Sequence, residues 1–483
     1  MSVLPLFVII PLVCAFLIVL LGRKLKDFSD ILANLAAFVL FLLAFFSLKP
    51  VASQGMLTYN VSGWAPPVGI SLVMDGLSSF MLLTVNLITF LAMIYAISYM
   101  RRYTEKWKFH ALFLMMLTGM NGVILSGDLF NLYIFLEVAS ISGYALVAFG
   151  TDAQDLEAAF KYAIMGALAS IFILLGIALL YSYTSTLNMA DIALSLNAKP
   201  RGLLISFISV LFLAGFGLKA AIVPFHAWLP DAHSCAPSPV SAVLSGVFIK
   251  TLGVYALARV FFNVLGLSSQ LFYVLMILGV LSMVIGAFLA VAQNDIKRMF
   301  AYSSISQVGY IIFALGIASP LAILGALLHL FNHAVFKSLL FLNAGAIEYS
   351  TNTRSLKDLG GLSSKLPVTA STSLLGSMSI SGIPPLGGFW SKLIIIIAAA
   401  QAGYFAFALV AVLVSILTLV YYLKFQTAVF SGQLNAAILE IKAVPFTMKF
   451  SMVVLAVIST SAGIILLPDL RLYLQAAANV LIR

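Results

Sequence analysis

The chain has 483 residues, of which 63% are hydrophobic and 9% are charged. About a quarter of the residues in a soluble domain are charged, so this composition excludes an ordinary soluble protein and predicts a polytopic membrane protein. The formal net charge of +10 mainly indicates how the chain is oriented in the membrane and that it contacts anionic lipids. The sequence indicates no nucleic-acid site.

Apolar runs that can cross a bilayer, which takes roughly 20 residues, recur along the whole sequence. We count fourteen, at 3–22, 29–48, 72–97, 110–126, 129–149, 157–184, 203–224, 238–262, 271–293, 298–318, 321–347, 368–401, 404–428 and 447–467. The first run lacks a basic amino-terminal region and a small-residue cleavage site, so we expect a retained helix and not a signal peptide. The sequence therefore predicts an all-α membrane domain without a soluble domain.

Basic residues in the loops predict the orientation, because cytoplasmic loops carry an excess of Lys and Arg. With the amino terminus outside, the inner loops hold 16 basic residues, the outer segments hold six, and four lysines stay inside the spans. An even number of spans places both termini on one side. We therefore expect a multi-pass protein of the cytoplasmic membrane with both termini outside.

Ionizable residues in the middle of the apolar runs are the most informative feature. They are Glu137, Lys219, Lys250, Lys337 and Lys392. Each charge at the centre of a membrane helix costs about 2.5–3.5 kcal/mol on insertion scales, and such residues usually mark an ion pathway or a proton relay. A carboxylate opposite a lysine can exchange a proton as the pair forms and breaks. The alternative for Glu137 is a structural ion pair.

Two of the spans carry Pro/Gly interruptions close to a lysine. Pro224 follows Lys219 by five residues, and Pro384 and Pro385 precede Lys392. Proline removes a backbone hydrogen bond and usually breaks a helix, so spans 7 and 12 are predicted to be discontinuous. Broken helices in inverted repeats form ion sites near the middle of the membrane. The alternative is an ordinary proline kink whose lysine reaches toward the interface.

A row of titratable side chains occupies the eleventh span. His329, His333 and Lys337 are spaced i, i+4 and i+8 and share one helix face. Because histidine changes charge near physiological pH, this row and Lys250 predict a proton relay. A histidine pair at i, i+4 can bind zinc, but no glutamate follows the first histidine and no third ligand is evident, so we expect no metal. Packing histidines bonded to carbonyls are the alternative.

The turn after the seventh span contains three more titratable residues, His226, Asp231 and His233. They are candidates for a proton inlet on the inner side, and interfacial anchors are the equally weighted alternative. Glu157 and Lys161, at i and i+4, are expected to form a routine ion pair.

Several motifs of energy-transducing enzymes do not occur in the sequence, which has no P-loop, dinucleotide fingerprint, CxxC pair or haem-attachment motif. We therefore expect no cofactor in this chain. Whether the chain is part of an enzyme stays open, because the driving reaction has to come from partners or from an ion gradient. Two other classes remain, a stand-alone secondary transporter for a small solute and a non-conducting scaffold.

Five stretches resemble the antiporter-like subunits of Mrp-type cation/proton antiporters, membrane-bound hydrogenases and respiratory complex I. They are Gly127–Glu137, Pro224–His233, Ala236–Ala242, His329–Lys337 and Gly382–Lys392. The similarity extends over nearly the whole chain, and the first stretch is most similar to the Mrp D type. It implies other membrane subunits as partners and H⁺ as the transported ion, with Na⁺ left open.

The resemblance also implies an internal organisation and residue roles. A single membrane domain would comprise helices 1–3 (1–109), a first repeat of helices 4–8 (110–262), an inverted second repeat of helices 9–13 (271–428), and helix 14 with a tail (447–483). In this scheme Glu137 and Lys219 form a modulating pair. The residues that connect the two halves are Lys250, His329, His333 and Lys337. Lys392 exchanges protons with one surface.

Overall fold

The structure is a computed structural model that describes residues 3–25, 27–198, 202–266, 268–435 and 440–482. Lys26, Lys199, Arg201 and Arg483, which contribute to the predicted charge asymmetry, lie outside these ranges. The described helices are α1 (Leu6–Leu21), α2 (Phe28–Gln54), α3 (Gly76–Tyr99), α4 (Lys106–Leu125), α5 (Leu129–Val147), α6 (Ala153–Thr184), α7 (Met189–Ala198), α8 (Leu203–Ala220), α9 (Leu229–Cys235), α10 (Ser238–Leu265), α11 (Ser269–Val291), α12 (Ile296–Ile317), α13 (Pro320–Thr351), α14 (Pro367–Ser381), α15 (Gly387–Gln401), α16 (Phe405–Phe430), α17 (Phe446–Ser461) and α18 (Pro468–Leu481).

Among the described residues, twelve helices are long and apolar enough to cross a membrane. Helices α1 and α15 are apolar but shorter. Every predicted run coincides with a helix, and the run 368–401 coincides with the two short helices α14 and α15. The predicted helical, multi-pass architecture is confirmed, whereas the number of fourteen spans stays a prediction.

A β-hairpin between α2 and α3 departs from the all-α prediction. Strand β1 (Met56–Asn60) pairs antiparallel with β2 (Ser71–Asp75), with Met56 opposite Asp75. The last residue of β2, Asp75, caps α3 by accepting a hydrogen bond from the backbone N–H of Ser78. The hairpin therefore fixes where the third span begins.

The seventh and twelfth predicted spans are both interrupted. Helix α8 ends at Ala220, and Ala221 adopts a left-handed conformation with φ 54°. Helix α14 ends at Ser381, and Gly382 has φ 82° before α15 begins at Gly387. At each break a backbone N–H donates to the carbonyl five residues earlier. The two hydrogen bonds run from Ile222 N to Gly217 O and from Ile383 N to Met378 O. Both helices therefore end just before the predicted prolines, and the discontinuity of spans 7 and 12 stays a prediction.

Two connections elsewhere in the chain share one geometry. Asp128 caps α5 and forms an isolated antiparallel bridge with Asn188, and Asp295 caps α12 and forms the same bridge with Ser355. The helices enclosed by these bridges, α6 and α13, are each 32 residues long. The two halves of the chain therefore repeat a local design at an equal spacing in the sequence.

Helix α10 is largely π-helical, over Leu244–Phe248, Lys250–Tyr255 and Arg259–Leu265. Turns of this kind are rare and are frequent at functional sites. Gly253 lies against α8 so closely that a Cβ there would be 2.4 Å from Ala220 N and Cα. The end of α8 and the centre of α10 are thus in direct contact.

Gly253→Ala is expected to push α10 away from α8, because real Cβ atoms do not approach backbone this closely. Overpacking typically costs about 1–3 kcal/mol, so the thermal midpoint of the purified protein should fall. Gly202→Ala is the matched control, since a Cβ at Gly202 meets open space. Equal midpoints for the two variants would contradict this packing.

Helix α13 is the core of the bundle. It packs against α3, α10, α12, α14, α15, α17 and α18, and nearly all of its side chains are buried. A helix that is buried on all sides belongs in the interior of a membrane protein. The polar residues in the middle of α13 are therefore shielded from lipid.

Candidate functional site

The first group of buried charged residues lies where α5, α6 and α8 meet. Lys219 is 3% exposed, and its Nζ lies 3.5 Å from Oε1 of Glu137. The same Nζ donates to Ser140 Oγ at 2.9 Å, and Ser170 Oγ of α6 donates to Glu137. Lys219 also lies in the last turn of α8, where the helix dipole favours a cation. The structure brings Glu137 and Lys219 together as an ion pair, with Ser140 and Ser170 as hydrogen-bond partners.

Glu137 faces the outside of the bundle more than Lys219 does. Its side chain is 25% exposed, and it lies between the exposed residues Ile134 and Ile141. Positions three and four residues apart share a helix face, so Glu137 belongs to the outward face of α5. This end of the site is at the lateral surface of the chain.

Lys250 is fully buried in the π-helical part of α10 and donates to the carbonyl of Ser245. The Ser245 hydroxyl in turn lies 2.7 Å from Ser304 Oγ of α12. Gly253, one turn after Lys250, contacts the residue that follows Lys219. Lys250 is therefore placed between the first pair and the helices α12 and α13.

His329 and His333 lie on α13 with their ring centroids 6.2 Å apart, and both are fully buried. His329 Nδ1 lies 2.9 Å from Ser391 Oγ of α15. Like-charge repulsion acts on His329 from Lys250 and Lys392, and on His333 from the same two lysines and Lys337. The histidines thus stand between the lysines of different helices.

Lys337 is fully buried one helical turn after His333. Its Nζ donates to Phe300 O at 2.7 Å and to the Tyr422 hydroxyl at 3.1 Å. It also interacts electrostatically with Lys250 and Lys392. Among the described residues both hydrogen-bond partners of this lysine are neutral, so dipoles and not a carboxylate hold its amino group.

The hydrogen bonds of Lys392 depend on the break between α14 and α15. Its Nζ donates to Ile380 O at 2.7 Å and to Ser415 Oγ at 3.2 Å, and it lies 5.0 Å from the centroid of the Tyr310 ring. The last carbonyls of a helix have no intrahelical partner, so the end of α14 supplies an acceptor for the buried ammonium. The interruption between α14 and α15 therefore provides a hydrogen-bond acceptor for Lys392.

Several buried polar atoms on the described helices α12 and α13 lack a protein partner. Within the described chain they include Nε2 of His329, both ring nitrogens of His333, both amide atoms of Gln307 and Oδ1 of Asn332. Buried polar atoms are nearly always hydrogen-bonded, to protein or to ordered water, so water fits these positions. Sequence analysis missed Gln307, although an amide inside an apolar span is itself a recognisable sign.

The three candidate inlet residues are not brought together. Asp231 forms surface ion pairs with Arg298 at 2.6 Å and Lys161 at 3.2 Å. His226 is partly buried in the connection from α8 to α9, and His233 is fully buried. Of the three, His233 is the one that interacts electrostatically with buried lysines, namely Lys337 and Lys250.

These observations define a class of protein, a multi-pass helical membrane protein whose core holds a series of ionizable side chains. The sequence family described as NADH:quinone oxidoreductase/Mrp antiporter, TM, matches residues 126–418. The family of the complex I chain 5 amino terminus matches residues 65–110.

Individual relatives and solved structures agree with this assignment. The N-type subunit of NADH-quinone oxidoreductase from Desulforudis audaxviator is 38% identical over 425 residues, which cover 87% of this chain and 84% of that protein. The D-type subunit of the Na⁺/H⁺ antiporter from Alkalihalophilus pseudofirmus is 34% identical over 430 residues, with coverages of 88% and 87%. A protein of the Mrp complex from Dietzia sp. superposes with a TM-score of 0.92 at 28% identity, covering 99% of this chain and 97% of that one.

A protein of an archaeal respiratory membrane complex, the membrane-bound sulfane sulfur reductase, also has a TM-score of 0.92, at 29% identity and coverages of 99% and 98%. The chain belongs to the NADH:quinone oxidoreductase/Mrp antiporter family. The resemblance found in the sequence motifs is confirmed.

Proposed function

We propose that this chain is an antiporter-like subunit of a multi-subunit membrane complex and carries protons along its buried ionizable groups. The observation that carries the proposal is the connection among these groups. Glu137 pairs with Lys219, and α8 and α10 join this pair to Lys250. On α13 the rings of His329 and His333 lie 6.2 Å apart, and His329 contacts Ser391, the residue before Lys392.

The partners are other membrane subunits of an Mrp-type or a hydrogenase/complex I-type assembly. Support comes from relatives that are named as subunits of a quinone oxidoreductase and of a Na⁺/H⁺ antiporter, and from structural neighbours that are parts of complexes. The host supplies the energy, either as a cation gradient or as a redox reaction. The protons are carried by this chain.

Transport begins with a disturbance of the Glu137–Lys219 pair by the host. Loosening the pair changes the proton affinity of Lys219, and the change passes through Lys250 and the histidines to Lys337 and Lys392. Moving one charge against 100 mV requires about 2.3 kcal/mol. A change of about two pKa units in proton affinity represents roughly 2.7 kcal/mol. The coupling therefore supplies enough free energy to move one proton against this potential.

The chain crosses the cytoplasmic membrane fourteen times as one domain, with both termini outside. Residues 110–262 and 271–428 form two five-helix repeats, preceded by 1–109 and followed by 447–483. The matching bridges at Asp128 and Asp295 and the matching helix breaks support this division. Because each repeat has an odd number of spans, the second is inverted relative to the first, which suits ion sites at the breaks.

The proposal is tested by reconstituting the host complex into liposomes with and without this chain. We expect a pH-sensitive dye to report proton movement in the intact complex and none in the complex that lacks the chain. Proton or solute movement by the purified chain alone would overturn the proposal in favour of a stand-alone transporter. Unchanged movement in the depleted complex would make the chain a scaffold.

A further inference from the structure

A second cluster of buried charges lies at the carboxyl end of α13, apart from the series described above. Glu348 Oε2 lies 3.1 Å from Nζ of Lys297 on α12, and Glu348 Oε1 lies 3.6 Å from Nη2 of Arg102 after α3. The side chain of Lys297 is 2% exposed and that of Glu348 is 18% exposed. By the loop charges this end of α13 faces the inner side. The predicted eleventh span ends at 347, so sequence analysis missed Glu348.

Glu348 shares a helix face with Lys337 of the proton pathway. It follows Lys337 by eleven residues, which is three turns, so the two Cα atoms are about 16 Å apart. That separation is too large for one proton transfer. Any exchange between the two residues therefore needs intermediate groups.

Hydroxyl groups occupy part of this interval. The Tyr99 hydroxyl lies 3.4 Å from Glu348 Oε2 and 3.3 Å from Ser238 Oγ. The Tyr95 hydroxyl donates to the Leu342 carbonyl at 2.8 Å. Gly345 leaves space here, because a Cβ would lie 2.6 Å from Ser238 Oγ and 2.8 Å from the Tyr95 hydroxyl. We call Tyr99, Ser238 and Tyr95 the hydroxyl row.

The far end of the hydroxyl row lies at Leu342, about one and a half turns along α13 from Lys337. Leu342 lies five residues after Lys337 on α13, and Phe300, whose carbonyl holds Lys337, lies one turn after Lys297 on α12. His233 interacts electrostatically with Lys337, and neither of its ring nitrogens has a protein partner among the described residues. The cluster at Glu348 and the buried lysine are therefore joined by adjacent turns of the same two helices.

We propose that Glu348 is the proton inlet of the chain from the inner side, and this proposal rests on the proposed function. The Glu348 carboxylate takes a proton from water as its pairing with Lys297 loosens. Each hydroxyl of the row, with intervening water, gives its proton forward and receives one from behind. The Lys337 amine becomes an ammonium, and Glu348 returns to a carboxylate paired with Lys297.

The charged and titratable groups that face Glu348 come from several elements. They are Lys297 of α12, Tyr99 and Tyr95 of α3, Arg102 after α3, and Arg354 after α13. Three of these groups are cations that favour the carboxylate. Asp231, the inlet candidate from the sequence, is instead held at the surface by Arg298 and Lys161.

The test uses the whole complex in vesicles with Glu348→Gln. We expect the proton transport rate to fall at least about tenfold and its dependence on inner pH to change, whereas Glu348→Asp retains most of the rate. Glu105→Gln is the matched control, because Glu105 is a carboxylate on the same side that pairs with Lys108 at 3.2 Å and is 49% exposed. It should transport like the unmodified chain.

Tyr99→Phe keeps the ion pairs and removes the hydroxyl between Glu348 and Ser238. It therefore tests the inlet even if Glu348→Gln fails to assemble. We expect a severalfold lower rate with normal assembly. Unmodified rates and inner-pH profiles in Tyr99→Phe and in assembled Glu348→Gln would overturn the inlet. If Lys219→Ala is inactive in that same experiment, the inlet alone has failed, whereas an active Lys219→Ala removes the proposed function itself.

Discussion

Lys219→Ala is expected to abolish proton transport while the complex stays assembled. The substitution removes the only ion-pair partner that Glu137 has among the described residues, and it removes the donor to Ser140. Without the ammonium the pair cannot form, so the host has nothing to modulate. The measurement is dye-reported proton movement in vesicles together with the amount of each subunit in the purified complex.

Two further variants sharpen this result. Ser170→Ala removes one donor to Glu137 but leaves the lysine in place, so transport should fall partway. Lys108→Ala, at a lysine that is 53% exposed and paired at the surface, should change nothing. Full transport by assembled Lys219→Ala would refute the role of the Glu137–Lys219 pair.

Lys392→Ala is expected to reduce proton transport by at least about tenfold, because it removes the last ionizable group of the pathway. Lys392 is 2% exposed, and its ammonium fills the acceptors at the end of α14. A scaffold would tolerate this change, since the substituted side chain does not reach a partner surface. Lys365→Ala, at an exposed lysine before α14, is the control.

Lys392→Arg separates a proton carrier from a fixed charge. Arginine keeps the positive charge but does not release its proton in proteins. If Lys392 carries protons, the arginine variant stays impaired even when it assembles normally. Restored transport in Lys392→Arg would show that only the charge at this position matters.

The spans and breaks could be predicted from the sequence because each follows from a local rule. Hydropathy marks a helix that must bury its backbone polar groups, and the prolines at 224, 384 and 385 mark interruptions. The lysines near these breaks stand out because charge is scarce in apolar runs. These rules need no knowledge of which helix packs against which.

The rest depends on packing between distant segments. Ser170 contacts Glu137 because α6 packs beside α5 and α8. No residue spacing in the sequence predicts that contact. Proximity in the chain groups Asp231 with His233, but the turn of α9 directs Asp231 to Arg298 at the surface. The π-helical form of α10 also has no sequence rule that would predict it.

The outward position of Glu137 bears on what covers this face of α5 in a complex. Its carboxyl group lies on the same face of α5 as Ile134 and Ile141, which are 44% and 62% exposed. A copy left without neighbours would hold an acid against acyl chains, where charge is strongly disfavoured. A subunit packed over this face of α5 would shield the carboxyl group from the acyl chains.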